Sequence, residues 1–145
     1  MIINLTGQAG VGKSTIAKEL HKLFFYKNPI IIDGDELRDV FQNKDYSEIG
    51  RRLNISNAYN IARFLEAKSF IPIIALISPY IDLREQIKSD TKVIEIYLTT
   101  TQIRGREMFF AKNYVKPKEN YIEINTDNDI SICLKEILTY IKDNE

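Results

Sequence analysis

Residues 2–15, IINLTGQAGVGKST, restrict the possible folds more than any other stretch of the chain. Ile2, Ile3 and Leu5 form a short apolar run of the kind that becomes a buried strand. The run passes directly into Gly7-Gln8-Ala9-Gly10-Val11-Gly12-Lys13-Ser14, which satisfies G-x-x-x-x-G-K-[ST] in full. Glycines let such a loop curl so that successive backbone N–H groups face phosphate oxygens. The lysine then reaches the β- and γ-phosphates, and the serine hydroxyl takes a place on Mg²⁺. A helix starting at Lys13 aims its positive end at the same phosphates. A Gly-rich turn alone would mean little, but here a strand precedes it. An amphipathic helix follows, marked by Ile16, Leu20, Leu23 and Phe24. The stretch predicts a loop that holds a nucleoside triphosphate.

The rest of the chain alternates between the two periodicities. Helix one is expected from Lys13 to Tyr26, ended by Asn28-Pro29. Ile30-Ile31-Ile32 is a second buried strand, and Asp33-Gly34-Asp35 follows it. Ligands of open α/β sheets gather beyond the carboxyl ends of strands, so both acids belong at the edge that bears the glycine loop. Two carboxylates there can hold Mg²⁺ or take a proton from an attacking hydroxyl. The simpler role for such an Asp, Asp35 included, is to cap a helix. Arg38, one turn on, can reach an anionic substrate. Residues 40–52 read as a loop around Tyr46 entering a long helix, Glu48 to Lys68, with Ile55, Ala58, Ile61, Ala62 and Leu65 inward. Arg51 and Asn54 lie one turn apart near its start, placed to meet a phosphate and a base or sugar, with Tyr46 stacking on a ring. Ile71 to Ile77 is a continuous apolar run and predicts a central parallel strand. Ser78-Pro79-Tyr80 opens a helix through about Ser89. Val93 to Leu98 and Tyr121 to Asn125 give two more strands. Between them lies a basic stretch, Arg104 to Lys112, which reads as a lid over roughly 100–118. Asp129 to Ile141 closes the chain as a helix, with Ile130, Leu134, Ile137, Leu138 and Ile141 inward.

Strands and helices in strict alternation require parallel pairing with right-handed crossovers. The expected fold is α/β: a P-loop NTPase three-layer sandwich, a five-stranded parallel sheet with helices on both faces. The 145 residues suit a single domain, 1–145. Twenty basic and twenty acidic residues cancel, which argues against a general affinity for nucleic acid or membrane. The lone Cys133 excludes an internal disulfide and fits a buried thiol in the last helix. No apolar run approaches membrane-spanning length and no basic leader opens the chain, so a cytoplasmic enzyme is the expectation.

Four segments in order, GQAGVGKST, IIDGDELR, YSEIGRRLN and ISPY, resemble the adenylylsulfate (APS) kinase family over nearly the whole chain. Members transfer the γ-phosphate of ATP to the ribose 3′-hydroxyl of adenosine 5′-phosphosulfate. The resemblance implies that Gly7 to Thr15 bind ATP, that Asp35 is the base for the hydroxyl, and that Asp33 and Ser14 serve Mg²⁺. It places Arg38, Tyr46, Arg51 and Asn54 on the nucleotide substrate, and Tyr46 on its base. It aligns Ser78 with a serine that is phosphorylated in some members, and Arg104 with the arginine that opens the lid and joins Lys13 in catalysis. It also implies a homodimer.

The departures from the family concentrate on the acceptor side. Gly50 stands where an Asp usually precedes the substrate arginine, and Ser56-Asn57 replace an arginine pair. After Arg104 the family commonly reads D-P-K-G-L-Y, whereas this chain reads Gly105-Arg106-Glu107-Met108-Phe109-Phe110. A deletion between Lys112 and Tyr114 removes the segment with a second substrate-stacking aromatic. A retained phosphate side with an altered base pocket suggests a different 5′-modified nucleotide. APS-kinase-like enzymes of capsule O-methyl phosphoramidate pathways act on cytidine diphosphoramidate, so APS and that compound both stand as acceptors. A nucleotide-binding protein without catalysis is the third reading.

Overall fold

The computed structural model describes residues 1–102 and 104–145. Its elements are β1 (Ile2–Thr6), α1 (Lys13–Leu23), β2 (Pro29–Asp33), α2 (Gly34–Phe41), α3 (Glu48–Ala67), β3 (Ile71–Ala75), α4 (Ile81–Asp90), β4 (Val93–Thr99), β5 (Tyr121–Asn125) and α5 (Ile130–Asn144). The five strands pair in parallel in the order β2-β3-β1-β4-β5. The expected parallel sandwich is therefore the fold.

Strand register places the site. Leu5 and Asp33 both pair with Ala75, so β2 and β3 end on the rung of Leu5, one residue before the end of β1. The glycine loop, the Asp33-Gly34-Asp35 turn and the Ser78 turn consequently leave the sheet side by side, at the carboxyl edge. Alternation along β1 divides the core. Ile3 and Leu5 pack with Ile16, Ala17 and Leu20 of α1 and with Cys133, Ile137 and Ile141 of α5. Ile2 packs on the opposite face with Ile55, Ala58, Tyr59 and Ala62 of α3 and Ile87 of α4. Each face thus buries an apolar stripe at helical spacing, which is the main force holding the layers together.

Several boundaries shift for local reasons. α1 stops at Leu23, and residues 25–27 tighten into a 3-10 turn before Asn28, whose φ of 56° reverses the chain. Leu23 is exposed and Phe24 takes the buried place instead. β3 ends two residues before Ile77, because Thr6 Oγ1 donates to Ile77 O at 2.9 Å and Ser78 turns at φ 46°. In α5 the inward row at four-residue spacing is Cys133, Ile137 and Ile141, so Ile130, expected inward, lies exposed at the first residue. Cys133 is buried, as its setting suggested.

Candidate active site

The glycine loop is shaped by steric need. A Cβ on Gly7, at φ +149°, would lie 2.6 Å from Leu98 O, so only glycine lets β1 run on beside β4. Gly12, at φ +102°, occupies the left-handed N-cap of α1. Several loop carbonyls are bonded within the fold. Lys13 Nζ donates to Gly7 O at 2.9 Å and Gln8 O at 2.7 Å. Arg104 donates to Gly10 O at 3.0 Å and Thr126 Oγ1 to Val11 O at 2.7 Å. The N–H groups of Lys13, Ser14 and Thr15 open α1 and have no intrahelical acceptor. This is the arrangement that attracts anionic oxygen.

Those amides open on a cleft of about 540 Å³. Its lining brings together loop residues and Lys13, the acids Asp33 and Asp35, the group Arg38, Tyr46, Arg51 and Asn54, and Ser78, Arg104, Arg106 and Phe109. Almost every residue proposed from sequence thus meets in one cavity; Gly7, Gln8 and Val11 belong to the loop behind it. Burial above all, and the Arg106 charge after it, lower the Lys13 pKa from 10.5 to about 8 against the opposing pull of Asp35 and Asp33.

The acids divide their work. Asp33, not Asp35, caps α2: its Oδ2 accepts from the Glu36 N–H at 3.1 Å. Asp35 sits in the first helical turn. On the acceptor side much of the polar chemistry is turned on the protein itself. The Arg38 guanidinium donates to Asn43 O at 3.0 Å and Asp45 O at 3.1 Å and lies 4.0 Å from the Tyr46 ring centre. Arg51 donates to Tyr46 O at 3.1 Å. Asn54 Nδ2 donates to Gly34 O at 3.3 Å, while its buried Oδ1 has no partner among the described residues. A buried acceptor lining a cleft in this way suits a ligand hydroxyl or amino group.

Gly50 has a steric explanation. A Cβ there would fall 2.0 Å from Asp45 O and 2.5 Å from the Asp45 side chain. The 43–47 loop folds against it, with Asn43 Nδ2 donating to Gly50 O at 2.9 Å and Ser47 capping α3.

Sequence reading passed over a buried polar network beneath the cleft. Arg84 and Glu95 are fully buried, their Nε and Oε2 3.3 Å apart. That approach lacks hydrogen-bond alignment, so the two attract as charges. Arg84 instead donates to Ser78 O at 2.5 Å and to Val115 O. Lys88 donates to the other Glu95 oxygen at 2.8 Å. Tyr59 hydroxyl shares a 2.6 Å hydrogen bond with Ser78 Oγ and accepts from Asn4 at 3.2 Å, and burial pushes its pKa up to about 12. Tyr114 bonds Thr6 Oγ1 at 2.7 Å and stacks on Tyr97, with burial pushing its hydroxyl pKa up. The Ser78 hydroxyl is therefore held by Tyr59, and Tyr114 is tied to Thr6 of β1 outside the cleft lining. Glu95 did leave a signal: a charge in the middle of the apolar run VIEIYL, on a strand buried on both faces.

Comparison with known proteins agrees with this architecture. The adenylylsulphate kinase family model matches residues 1–126. An adenylyl-sulfate kinase of Pseudomonas aeruginosa is 29% identical, covering 99% of this chain and 86% of its own length. A cytidine diphosphoramidate kinase of Campylobacter jejuni is 30% identical, over 88% of this chain and 79% of its own. Among solved structures, the Mycobacterium tuberculosis APS kinase in complex with AMPPNP and APS superposes with a TM-score of 0.81 at 19% identity, covering 97% of this chain and 96% of the other. Among the described residues, no helix is long and apolar enough to cross a membrane.

Proposed function

Because the chain belongs to the adenylylsulphate kinase family, we propose that it transfers the γ-phosphoryl group of ATP to the ribose 3′-hydroxyl of a 5′-modified nucleotide. The observation that supports this best is that one cleft is lined by Lys13, Asp35, Arg38, Arg51 and Asn54 together. The loop amides, Lys13 and Ser14 bind the triphosphate. Arg51 and Asn54 orient the acceptor, and the Asn54 Oδ1 acceptor finds its partner there. Asp35 accepts the 3′-hydroxyl proton as the new O–P bond forms and the bond to the β,γ-bridging oxygen breaks, releasing ADP. Arg106, whose charge is felt at Lys13, neutralises the equatorial oxygens. Arg104 is tied to Gly10 O and to Thr126 O at 3.4 Å and braces the loop.

Ser14 and Asp33, which both line the cleft, fit Mg²⁺. No group of three or more acidic, His or Cys ligands exists among the described residues, which suits an ion that retains waters and phosphate oxygens. When bound, Mg²⁺ offsets charge on the β- and γ-phosphates.

For the acceptor base, Tyr46 and Phe109 are the aromatic rings lining the cleft, both about half exposed and each against a guanidinium. With Tyr114 bonded to Thr6 and outside the cleft lining, Phe109 supplies the second stacking face. APS is the acceptor of the family at large. The cytidine compound is the second reading, favoured by the short lid and by the relative from Campylobacter jejuni.

ADP release from Mg-ATP is the test, with APS, cytidine diphosphoramidate, AMP and CMP compared as acceptors. A clear preference for either modified nucleotide supports the transfer and identifies the base. Tight ATP binding with no turnover of any acceptor refutes it in favour of a non-catalytic binder. Asp35→Asn should lower kcat by about a hundredfold or more with little change in ATP affinity; near-normal turnover would remove Asp35 as the base.

A further inference from the structure

The lid is attached to the glycine loop at both ends. At one end Arg104 donates to Gly10 O at 3.0 Å. At the other, the Gln8 carboxamide meets the main chain of Ala111 twice: Nε2 donates to Ala111 O at 2.8 Å, and the Ala111 N–H donates to Oε1 at 2.8 Å. Ala111 is 8% exposed, in a stretch whose neighbours are open to solvent. Between these anchors lie Arg106 and Phe109, in a turn closed by Phe109 N–H to Arg106 O at 3.0 Å. Gly10 leaves room for the turn, since a Cβ there would stand 3.2 Å from Arg106 Cβ.

The pairing is chemically selective. A carboxamide carries a donor and an acceptor at one end and can satisfy both groups of a single peptide residue, as a neighbouring strand would. Glutamate only accepts, and leucine does neither. The loop motif leaves position 8 open, so phosphate binding by the backbone does not account for a glutamine there.

We propose that Gln8 is a positioning residue that latches the lid to the phosphate loop, so that Arg106 and Phe109 stay over the cleft and respond to triphosphate binding. The proposal rests on the transfer reading for its catalytic consequence, but the latch itself is measurable without an acceptor.

The test is hydrogen exchange over residues 104–111, with and without AMPPNP, combined with kinetics on Gln8→Leu and Gln8→Glu in the full chain. In Gln8→Leu, exchange at the Ala111 amide should accelerate about tenfold or more, and protection of the lid by AMPPNP should disappear. AMPPNP affinity should stay within about threefold, because Lys13, Ser14 and the loop amides remain, while kcat falls about tenfold or more. Gln8→Glu keeps the bond from the Ala111 N–H and should fall between the two. Unchanged exchange at Ala111 would overturn the latch. So would faster exchange with unaltered AMPPNP protection of the lid, or a loss of AMPPNP affinity parallel to the loss of kcat, which would place Gln8 in phosphate binding instead. A wild-type protein inactive with every acceptor would refute the transfer reading, while the exchange data would still decide the latch.

Discussion

Lys13 gives the site a pH dependence whose size follows from its surroundings. Its pKa of about 8 in the free cleft means that it loses its charge above that pH, whereas an ordinary lysine would keep it. A bound triphosphate places several negative charges beside the ammonium and restores the charged form. Above pH 8 binding must therefore take up a proton, and affinity must fall as pH rises. With a pKa of about 8, roughly three quarters of the free protein carries the charge at pH 7.5 and about a tenth at pH 9. The affinity for Mg-AMPPNP should weaken about eightfold between those values, or about 1.2 kcal/mol. Calorimetric titrations at constant ionic strength in two buffers of different ionisation enthalpy would measure both the loss and the proton uptake. Lys13→Arg, charged throughout, should bind more weakly and show no such slope. A flat wild-type profile, or the same slope in Lys13→Arg, would refute the assignment. For folding of the nucleotide-free protein the sign reverses. The unfolded chain holds the Lys13 proton up to about 10.5 and the folded one does not, so this group adds stability as pH climbs from about 8 to 10.5.

Two further substitutions probe the scaffold. Glu95→Gln leaves Arg84 charged and fully buried with only carbonyl partners and takes from Lys88 one of its two ion pairs, so urea unfolding should show a loss of about 3–5 kcal/mol; a loss below about 1 kcal/mol would mean that the Arg84–Glu95 pair is not a stabilising unit. Gly50→Ala puts a methyl group 2.0 Å from Asp45 O, so the 43–47 loop must move. Stability should fall by about 1–3 kcal/mol and the KM for the acceptor should rise with the KM for ATP unchanged; an unaltered acceptor KM would separate this loop from acceptor binding.

The sequence revealed what depends on short-range pattern. The placement of the glycine loop, Asp33 and Asp35 in one cleft was legible because strand ends of a parallel sheet share an edge. Arg38 and Tyr46 were each placed at the cleft, but their mutual stacking was not foreseen, since it depends on how residues 43–47 fold against Gly50. The attachment of Gln8 to Ala111 joins residues 103 apart through a position the motif leaves free, and no local pattern announces it. Glu95 was the available signal that went unread. A charge in the middle of a buried strand requires a partner, and Arg84, one helix earlier, is that partner. The inward positions of Leu23 and Ile130 failed for a different reason: each is the terminal residue of its helix, where periodicity loses its neighbours.

The two ends of the cleft differ in how ready they are for their ligands. On the acceptor side, Arg38 holds Asn43 and Asp45, Asn43 holds Gly50, and Ser47 caps α3, so the wall stands in place through its own bonds. In the proposed transfer, an acceptor nucleotide would meet the unpartnered Asn54 Oδ1 and two half-exposed rings. Lys13 is bonded to the carbonyls of Gly7 and Gln8, and in the proposed transfer it would turn from them toward the γ-phosphate. The carbonyl released at Gln8 belongs to the residue whose side chain grips Ala111. Under the proposed latch, triphosphate binding and lid position meet at Gln8, whose main chain and side chain would carry the coupling between them.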